Sequence, residues 1–380
     1  MRRATDADRA RLNDTFVTLC RIESPSGRER ACADRVTEEL RGLGLTVEED
    51  GAGVVADSDT GNLLARLPGT QPRNILLCAH LDTVPPLAPI DPVIVDGGWE
   101  NAAEGILGAD NKAAIAVLIE LARRFAGGGE PPPVGIELLF TVSEENGLRG
   151  AKAFDASRLS SEFGFVFDHA SPIGGIVVAA PTYDSIVAML HGRAAHAGIR
   201  PEEGRSAILA AARAIAAMRI GRLDEETTAN VGTIAGGTAT NVVPERCRLE
   251  AEVRGLDDAR VAAVVTEMVD HLQDAANEVE CDLDVTVQRQ FQGYRSKPGA
   301  PHIVAAARAL EVCGYQPHHL VTGGGSDANA FQAAGLPCAN LADGTQRNHE
   351  PGERISIDAL EGMFEVAIAL LDIAGEVVAA

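Results

Sequence analysis

Apolar residues in the first 180 positions follow two kinds of spacing, one typical of helices and one typical of buried strands. The run NILLCA at 74–79 is continuously apolar, as expected for a strand in a sheet that is covered on both faces. The elements predicted for this part are helices over 9–20, 27–40, 112–125 (ended by the glycines at 127–129) and near 148–157, and strands over 62–67, 74–79, 134–142 and 163–167. Alternation of strands and helices in this way predicts an α/β fold with a largely parallel sheet.

The pattern changes after about residue 180. The elements predicted next are a strand over 183–192, a helix over 204–218, strands over 229–234 and 247–254, a helix over 257–278 and a strand over 282–290. This order, β-α-β-β-α-β, is that of the ferredoxin-like split unit. From about residue 295 the α/β character returns, with helices over 302–313 and 357–376 and a strand near 337–341. We therefore predict one α/β domain, 1–180 and 295–380, interrupted by an inserted α+β domain over 181–294.

Composition and charge narrow the function classes. The 380 residues carry a net charge of −22, whose field would repel nucleic acid and anionic membrane surfaces. No apolar run approaches a membrane span, and no apolar segment follows the two arginines at the start, so no secretory signal is expected. The seven cysteines show no CxxC spacing, which is typical of reduced thiols in a cytoplasmic protein.

Five polar residues follow predicted strands or lie in loops. In LLCAHLDTVPP, His80 and Asp82 stand two residues apart after a buried strand, a spacing that points both side chains to one face. A carboxylate near a histidine can fix the ring for metal binding, or it can only close a loop. Taken alone, Asp110 in ILGADNKAAIA favours a helix N-cap. Asp168 in FGFVFDHA is as compatible with a turn as with a ligand site. His349 in TQRNHEPGER is, taken alone, a surface histidine.

The stretch FTVSEENG places Glu144 and Glu145 side by side after an apolar strand, although like charges repel. Carboxyl ends of parallel strands meet at one edge of a sheet, where ligands bind. That edge could collect the two imidazoles and three carboxylates of His80, Asp110, Glu145, Asp168 and His349. Such a set suits two zinc-like ions that share one carboxylate and a water. Glu145 would then bind metal and Glu144 would take a proton from the water, provided that the chain leaves strand geometry near Ser143.

The motifs HLDTVP, GADNKAAIA, TVSEENG, VFDHA and NHEPGE, in this order, resemble the co-catalytic dizinc peptidase family that includes aminoacylase, glutamate carboxypeptidase and peptidase T. The chain is most similar to the peptidase T-like (tripeptidase-like) branch, over essentially its whole length. The resemblance implies that His80, Asp110 and Asp168 hold one zinc. It implies that Asp110, Glu145 and His349 hold the other. Asp82 would orient His80, Glu144 would be the general base, and a cis peptide would follow Asp110.

The resemblance extends to the inserted domain, which in the family is a lid that also forms a dimer interface. His196 in HGRAAHAG matches a lid histidine that stabilises the oxyanion in a neighbouring subunit's site; otherwise it closes a loop. Asn241 and Arg254 are similar to family positions that bind the polar ends of the substrate. Gly324 and Gly325, in the loop GGGSDAN, would line the substrate cleft, although Ser326 or Asp327 could instead cap a helix.

The expected activity is removal of the N-terminal residue of short peptides, most of all tripeptides, by a cytoplasmic homodimer. Hydrolysis of N-acyl amino acids or of a carboxyl-terminal peptide bond uses the same ligands and stays open, as does a non-catalytic metal-stabilised binding protein. Cobalt and manganese suit the same mixed nitrogen and oxygen ligands as zinc. No role follows from the sequence for Trp99, expected in a loop, or for His318 and His319, expected at the surface.

Overall fold

The computed structural model describes residues 2–126 and 131–377. The chain divides into two compact units: unit 1 comprises Met1–Ala179 and Arg295–Ala380, and unit 2 comprises Ala180–Tyr294. The glycines at 127–129, expected to end a helix, lie outside the described residues. Within the described ranges, no helix combines the length and the apolar character that a bilayer crossing needs.

The described residues form ten α-helices and eighteen strands. The helices are α1 Asp6–Cys20, α2 Arg30–Gly42, α3 Ala52–Ala56, α4 Ala109–Ala126, α5 Arg149–Ala153, α6 Ala207–Ala217, α7 Asp258–Val279, α8 Pro301–Val312, α9 Asp327–Ala333 and α10 Ile357–Ala374. The strands are β1 Val47–Glu49, β2 Leu63–Leu67, β3 Asn74–His80, β4 Pro92–Val95, β5 Gly98–Asn101, β6 Gly135–Thr141, β7 Gly164–His169, β8 Gly175–Ala180, β9 Thr182–His191, β10 Gly221–Arg222, β11 Thr227–Gly236, β12 Arg246–Gly255, β13 Asp282–Phe291, β14 Tyr294–Arg295, β15 His318–Val321, β16 Cys338–Ala342, β17 Thr345–Gln346 and β18 Arg354–Ser356.

The main sheet of unit 1 has the strand order β1-β2-β6-β3-β7-β16-β8-β14, with β15 paired to β8. Its centre, from β6 to β16, is parallel, and its edges at β1-β2-β6 and β16-β8 are antiparallel. The predicted α/β fold with a mostly parallel sheet is confirmed. The parallel centre brings the carboxyl ends of β6, β3, β7 and β16 to one edge.

Helix α4 lies at the core of unit 1. Its residues from Ala109 to Ala122 are buried, and it packs against α1, α10 and β3. A helix that is covered on several sides needs apolar residues around most of its circumference, which is why KAAIAVLIELA shows no polar face. The buried Lys112 donates from Nζ to the main-chain oxygen of Ile22 at 2.8 Å, beyond the end of α1.

A smaller four-stranded sheet, of order β17-β18-β5-β4, was not predicted. It contains Trp99 on β5, so the expectation that Trp99 lies in a loop is wrong. The indole nitrogen donates to Asn13 Oδ1 at 2.8 Å, and the ring centroid is 6.3 Å from that of Phe16. Trp99 therefore connects the β4–β5 hairpin of this sheet to α1. His318 and His319 are exposed on β15, as expected for surface residues.

Unit 2 follows the order β9-α6-β10-β11-β12-α7-β13, and its sheet has the order β10-β11-β12-β9-β13. All pairings in this sheet are antiparallel. Buried and partly exposed residues alternate along β9, because α6 and α7 pack together and against the sheet. Ile186, Leu249, Val253, Met268 and Leu272 belong to the resulting core. The inserted ferredoxin-like fold is confirmed.

Candidate metal centre

Three strand ends supply polar side chains to the same edge of the main sheet. His80 is the last residue of β3, Asp168 is the last but one of β7, and Glu144 and Glu145 follow β6 by three and four residues. His80 pairs in parallel register with Thr141, so β6 and β3 end side by side. The side chains that the sequence predicted to meet at this edge are brought together by the parallel centre of the sheet.

Asp110 reaches the same place from the start of α4. Its φ and ψ, −81° and 103°, are not helical, and its peptide bond to Asn111 is cis, as the resemblance implied. One carboxylate oxygen lies 3.1 Å from His80 Nε2, and the other accepts from Asn348 Nδ2 at 2.9 Å. Both oxygens thus face side chains of the site, which disfavours the alternative of a helix N-cap.

His349 lies in the loop between β17 and β18, where its φ of 67° is left-handed. Its Nε2 is 2.8 Å from Glu145 Oε1 and 3.3 Å from Asp110 Oδ2. The side chain is half exposed at 50%. A histidine that taken alone indicated only a surface position therefore lies against two carboxylates of the site.

Two groups of potential ligands share Asp110. In each group one ligand atom per residue lies within 4.8 Å of the others: His80, Asp110 and Asp168 in the first, and Asp110, Glu145 and His349 in the second. Among the described residues, His80, Glu144 and Glu145 meet the same criterion as a third group. The two groups joined by Asp110 have the composition that a pair of bridged divalent cations requires.

The electrostatics of the site fit cations. Burial raises the pKa of Glu144 and of Asp168, and for Glu144 the charge of Asp168 raises it further. Burial likewise raises the pKa of Glu145. Bonds to Asp110 and Glu145 raise the pKa of His349 to about 10. Several carboxylates are therefore held together out of water, an arrangement that positive charge stabilises.

Asp82 contacts more of the site than the sequence predicted. The ring of His80 has its Nδ1 2.9 Å from the main-chain oxygen of Asp82 and 3.4 Å from the carboxylate. The Asp82 carboxylate itself accepts from the main-chain N–H groups of Glu144 at 2.9 Å and Glu145 at 3.1 Å. Asp82 is thus placed to orient His80 and to fix the backbone of both glutamates, and its role stays a prediction.

Sequence reasoning missed the segment 24–29. Ser24 donates from Oγ to the oxygen of Leu81 at 2.7 Å, and Ser26 donates to the Asp82 carboxylate at 2.6 Å. Glu29 is fully buried, and its carboxylate accepts from the main-chain N–H and the hydroxyl of Ser143. The sequence SPSGRE before α2 carries only the signal of a turn, because Leu81, Asp82 and Ser143 lie more than 50 residues away.

Glu353 was also missed, although it stands in the motif that contains His349. Its carboxylate accepts from the main-chain N–H groups of Leu107, Gly108 and Asp110, each at 2.9 Å. Burial raises the pKa of Glu353 to about 7. The carboxylate joins the loop that carries Asp110 to the loop that carries His349.

A cavity of about 300 Å³ opens at the site. It is lined by Asp110, Glu144, Glu145, Asp168, His169, Ala170, Thr322, Gly324, Gly325, Asn340, Asn348 and His349. Gly324 and Gly325 thus lie beside the potential ligands, and their role in binding substrate stays a prediction. Ser326 directly precedes α9 and donates from its main-chain nitrogen to Asn329 Oδ1, so a helix also starts at this loop.

The other three predicted residues belong to unit 2. His196 is exposed and pairs with Val242 in an isolated bridge, and Ala197 donates to the main-chain oxygen of Asn241 at 2.9 Å. His196 and Asn241 are therefore neighbours. The guanidinium of Arg254, on the inner strand β12, lies 4.3 Å from the ring centroid of Tyr183 and bonds to Glu252. The roles of these residues stay predictions.

Comparisons with known families match both units. The family model described as "Peptidase dimerisation domain" matches residues 183–280, within unit 2. The model described as "Peptidase family M28" matches residues 62–174, within unit 1. The second range includes four of the five potential metal ligands.

Individual relatives cover almost the whole chain. It is 37% identical to the solved structure of an aminopeptidase PepT from Bacillus cereus, with a TM-score of 0.87 over 96% of this chain and 98% of that one. It is 33% identical to a tripeptidase from Staphylococcus aureus, with a TM-score of 0.91 over 97% and 99%. An uncharacterized protein YqjE from Bacillus subtilis is 35% identical over 95% of this chain and 98% of its own.

Proposed function

The chain belongs to the peptidase T-like branch of the metallopeptidases, and from this premise we propose that it is a dizinc aminopeptidase of short peptides, tripeptides above all. The relatives named aminopeptidase and tripeptidase support this substrate class, since each is at least 33% identical over nearly the full chain. One observation carries the proposal: two three-residue ligand groups share Asp110, which lines an open cavity.

We assign His80, Asp110 and Asp168 to one metal and Asp110, Glu145 and His349 to the other. Two divalent ions in such a site polarise the scissile carbonyl and lower the pKa of water. Zinc suits the two imidazoles and three carboxylates, and cobalt or manganese suits the same set.

Glu144 is the proposed general base. Its carboxylate lines the cavity beside both ligand groups, and the two groups joined by Asp110 are complete without it. Its backbone is fixed by the bond from its N–H to Asp82. From this position the carboxylate can take a proton from the attacking water and later pass it to the leaving amine.

The residues of unit 2 complete the proposal. The imidazole of His196 would donate to the oxyanion in a neighbouring subunit's site, while Asn241 and Arg254 would bind the polar ends of the peptide. The match of residues 183–280 to a peptidase dimerisation domain supports a homodimer formed through unit 2. The seven cysteines, odd in number and without CxxC spacing, support a cytoplasmic location.

The test replaces the two neighbouring glutamates separately. Glu144→Ala should lower kcat by about 100-fold to 10,000-fold, the range for loss of a general base, while two metals per chain remain bound. Glu145→Ala should instead lose one metal. Loss of metal from Glu144→Ala would show that the base has been misassigned.

The substrate class is tested with matched tripeptides. Tripeptides with a free amino group should be hydrolysed, and the same peptides with a blocked amino terminus should not. Hydrolysis of the blocked peptides alone would replace the aminopeptidase proposal with the N-acyl amidohydrolase or carboxypeptidase alternative. Full activity after exhaustive chelation would contradict every metal-dependent assignment.

A further inference from the structure

The turn that presents Glu144 and Glu145 begins at a residue in an unfavourable conformation. Strand β6 ends at Thr141, and Ser143 has a φ of 50°, in the left-handed region that residues with a Cβ rarely adopt. A strand would send Glu144 and Glu145 to opposite faces, so this rotation at Ser143 is what turns both toward the cavity. Something must hold Ser143 there.

Glu29 is the group that holds it. One carboxylate oxygen, Oε1, accepts from Ser143 N at 3.0 Å, from Ser143 Oγ at 3.2 Å and from Gly27 N at 3.0 Å. The other, Oε2, accepts from Ser58 Oγ at 2.7 Å. Glu29 is fully buried, so these bonds are not exchanged for bonds to water.

Glu29 and Asp82 together bind three consecutive amides. Ser143 N donates to Glu29, and the N–H groups of Glu144 and Glu145 donate to the two oxygens of Asp82. Successive N–H groups that converge on anions form a nest, a geometry that depends on a left-handed residue. The two buried carboxylates therefore select the turn over a continued strand.

The ordinary alternative for Glu29 is a helix cap, because it directly precedes α2. Its side chain makes no capping bond to α2, however, and it reaches back to Gly27 and across to Ser58 and Ser143. It does not line the cavity, so it does not touch substrate. Its bonds join the turn at Ser143 to Gly27 and Ser58, so any effect of Glu29 on the site passes through the turn.

We propose that Glu29 is a positioning residue for the general base Glu144 and the ligand Glu145, acting through the backbone of Ser143. The inference rests on the proposed function for its effect on turnover. Its effect on metal binding is independent of which substrate the enzyme hydrolyses. The role requires an acceptor at the place of Oε1 and does not require the negative charge.

The experiment compares Glu29→Ala and Glu29→Gln in the full chain, with Ser58→Ala as the control. Glutamine can keep an oxygen at the Oε1 position, and its amide can face Ser58, whose hydroxyl can accept. Ser58→Ala removes the partner of Oε2 and leaves the bonds to Ser143 in place. Three properties are measured for each variant: the kinetics of hydrolysis of a tripeptide with a free amino group, the Zn²⁺ affinity by chelator competition, and the visible spectrum of the Co²⁺-loaded protein.

We expect Glu29→Ala to lower kcat about 10-fold to 100-fold, the range for loss of an outer-shell partner, with KM changed less than about 2-fold. Zn²⁺ affinity should fall about 10-fold, and the Co²⁺ spectrum should change, because Glu145 is displaced. Glu29→Gln and Ser58→Ala should keep kcat, affinity and spectrum near those of the parent chain.

Three results would overturn the proposal. The first is a folded Glu29→Ala variant with unchanged kcat and metal affinity. The second is a folded Glu29→Gln variant that is as impaired as the alanine variant, because the negative charge would then be the cause. The third applies if Glu29→Ala does not fold: Glu29→Asp is then measured instead, and unchanged kcat and metal affinity of that variant would overturn the proposal. If the parent chain hydrolyses no peptide, the proposed function fails, while the affinity and the Co²⁺ spectrum still decide the role of Glu29.

Discussion

Replacing Glu353 tests whether a buried carboxylate holds the two loops that carry Asp110 and His349. Its oxygens accept three main-chain N–H groups, those of Leu107, Gly108 and Asp110, all buried residues. Each buried N–H left without a partner costs about 1–3 kcal/mol, so three would cost about 3–9 kcal/mol. Water entering the space of the missing carboxylate restores part of this. We therefore expect Glu353→Ala to lower the free energy of unfolding by about 3–4 kcal/mol.

Glu353→Gln separates the number of acceptors from the presence of a side chain. Glutamine keeps one oxygen, and Oε2 already serves two of the three N–H groups, so only the bond from Asp110 N is lost. The expected loss is about 1–2 kcal/mol. Because Asp110 is shared by both ligand groups, Zn²⁺ affinity should also fall, about 10-fold or more.

The sole tryptophan makes this measurement specific to unit 1. Trp99 lies on β5, so its fluorescence during urea unfolding of chelator-treated protein reports the unit that contains the site. Glu350→Ala, an exposed change three residues away in the same loop, is the matched control and should alter stability by less than about 0.5 kcal/mol. Equal stability and equal Zn²⁺ affinity of Glu353→Ala and Glu350→Ala would refute the reasoning.

Two further predictions concern stability alone. Burial lowers the pKa of His302 to about 4. Between pH 6.5 and about 4 the unfolded chain therefore binds a proton that the native chain does not, and the free energy of unfolding should fall by about 2–3 kcal/mol as pH falls through this window. His302→Gln should lack that part of the pH dependence in urea titrations, and the same pH profile in both proteins would contradict this role of His302. Gly150→Ala would place a Cβ 2.2 Å from the oxygen of Val142, so about 2–3 kcal/mol should be lost, whereas Gly299→Ala, with no atom within 4 Å of its Cβ, should be neutral; equal melting temperatures of the two variants would be inconsistent with the clash.

The parts of the fold that were predictable are those in which burial leaves a pattern in the sequence. Helix α4 and strands β3 and β6 are covered on more than one side, so their apolar runs are long and unambiguous. Strands β17 and β18 have two and three residues, too few for a period, and β5 carries the partly polar GWEN. Pairing between distant segments, rather than local preference, makes them strands.

The residues of the site also fall into two groups, those that the sequence predicted and those that it did not. Potential ligands were predictable because histidines and carboxylates at strand ends and in loops have few other uses in such number, and one parallel sheet edge collects them. Glu29 and Glu353 were not, because a carboxylate that accepts main-chain N–H groups requires no particular residue at the other end of the bond. The partners of Glu353 lie about 245 residues away, and any residue except proline could supply the main-chain N–H at positions 107 and 110.

The position of unit 2 within the chain also orders the events of biosynthesis. Residues 180–294 form a continuous unit that can fold as soon as it leaves the ribosome. Unit 1 cannot, because β16, which lies between β7 and β8 in its sheet, is made only afterwards. His349 and Glu353 emerge later still. A nascent chain that ends before His349 therefore carries four of the five proposed ligands without a complete centre, and peptide hydrolysis can begin only after His349 has been translated.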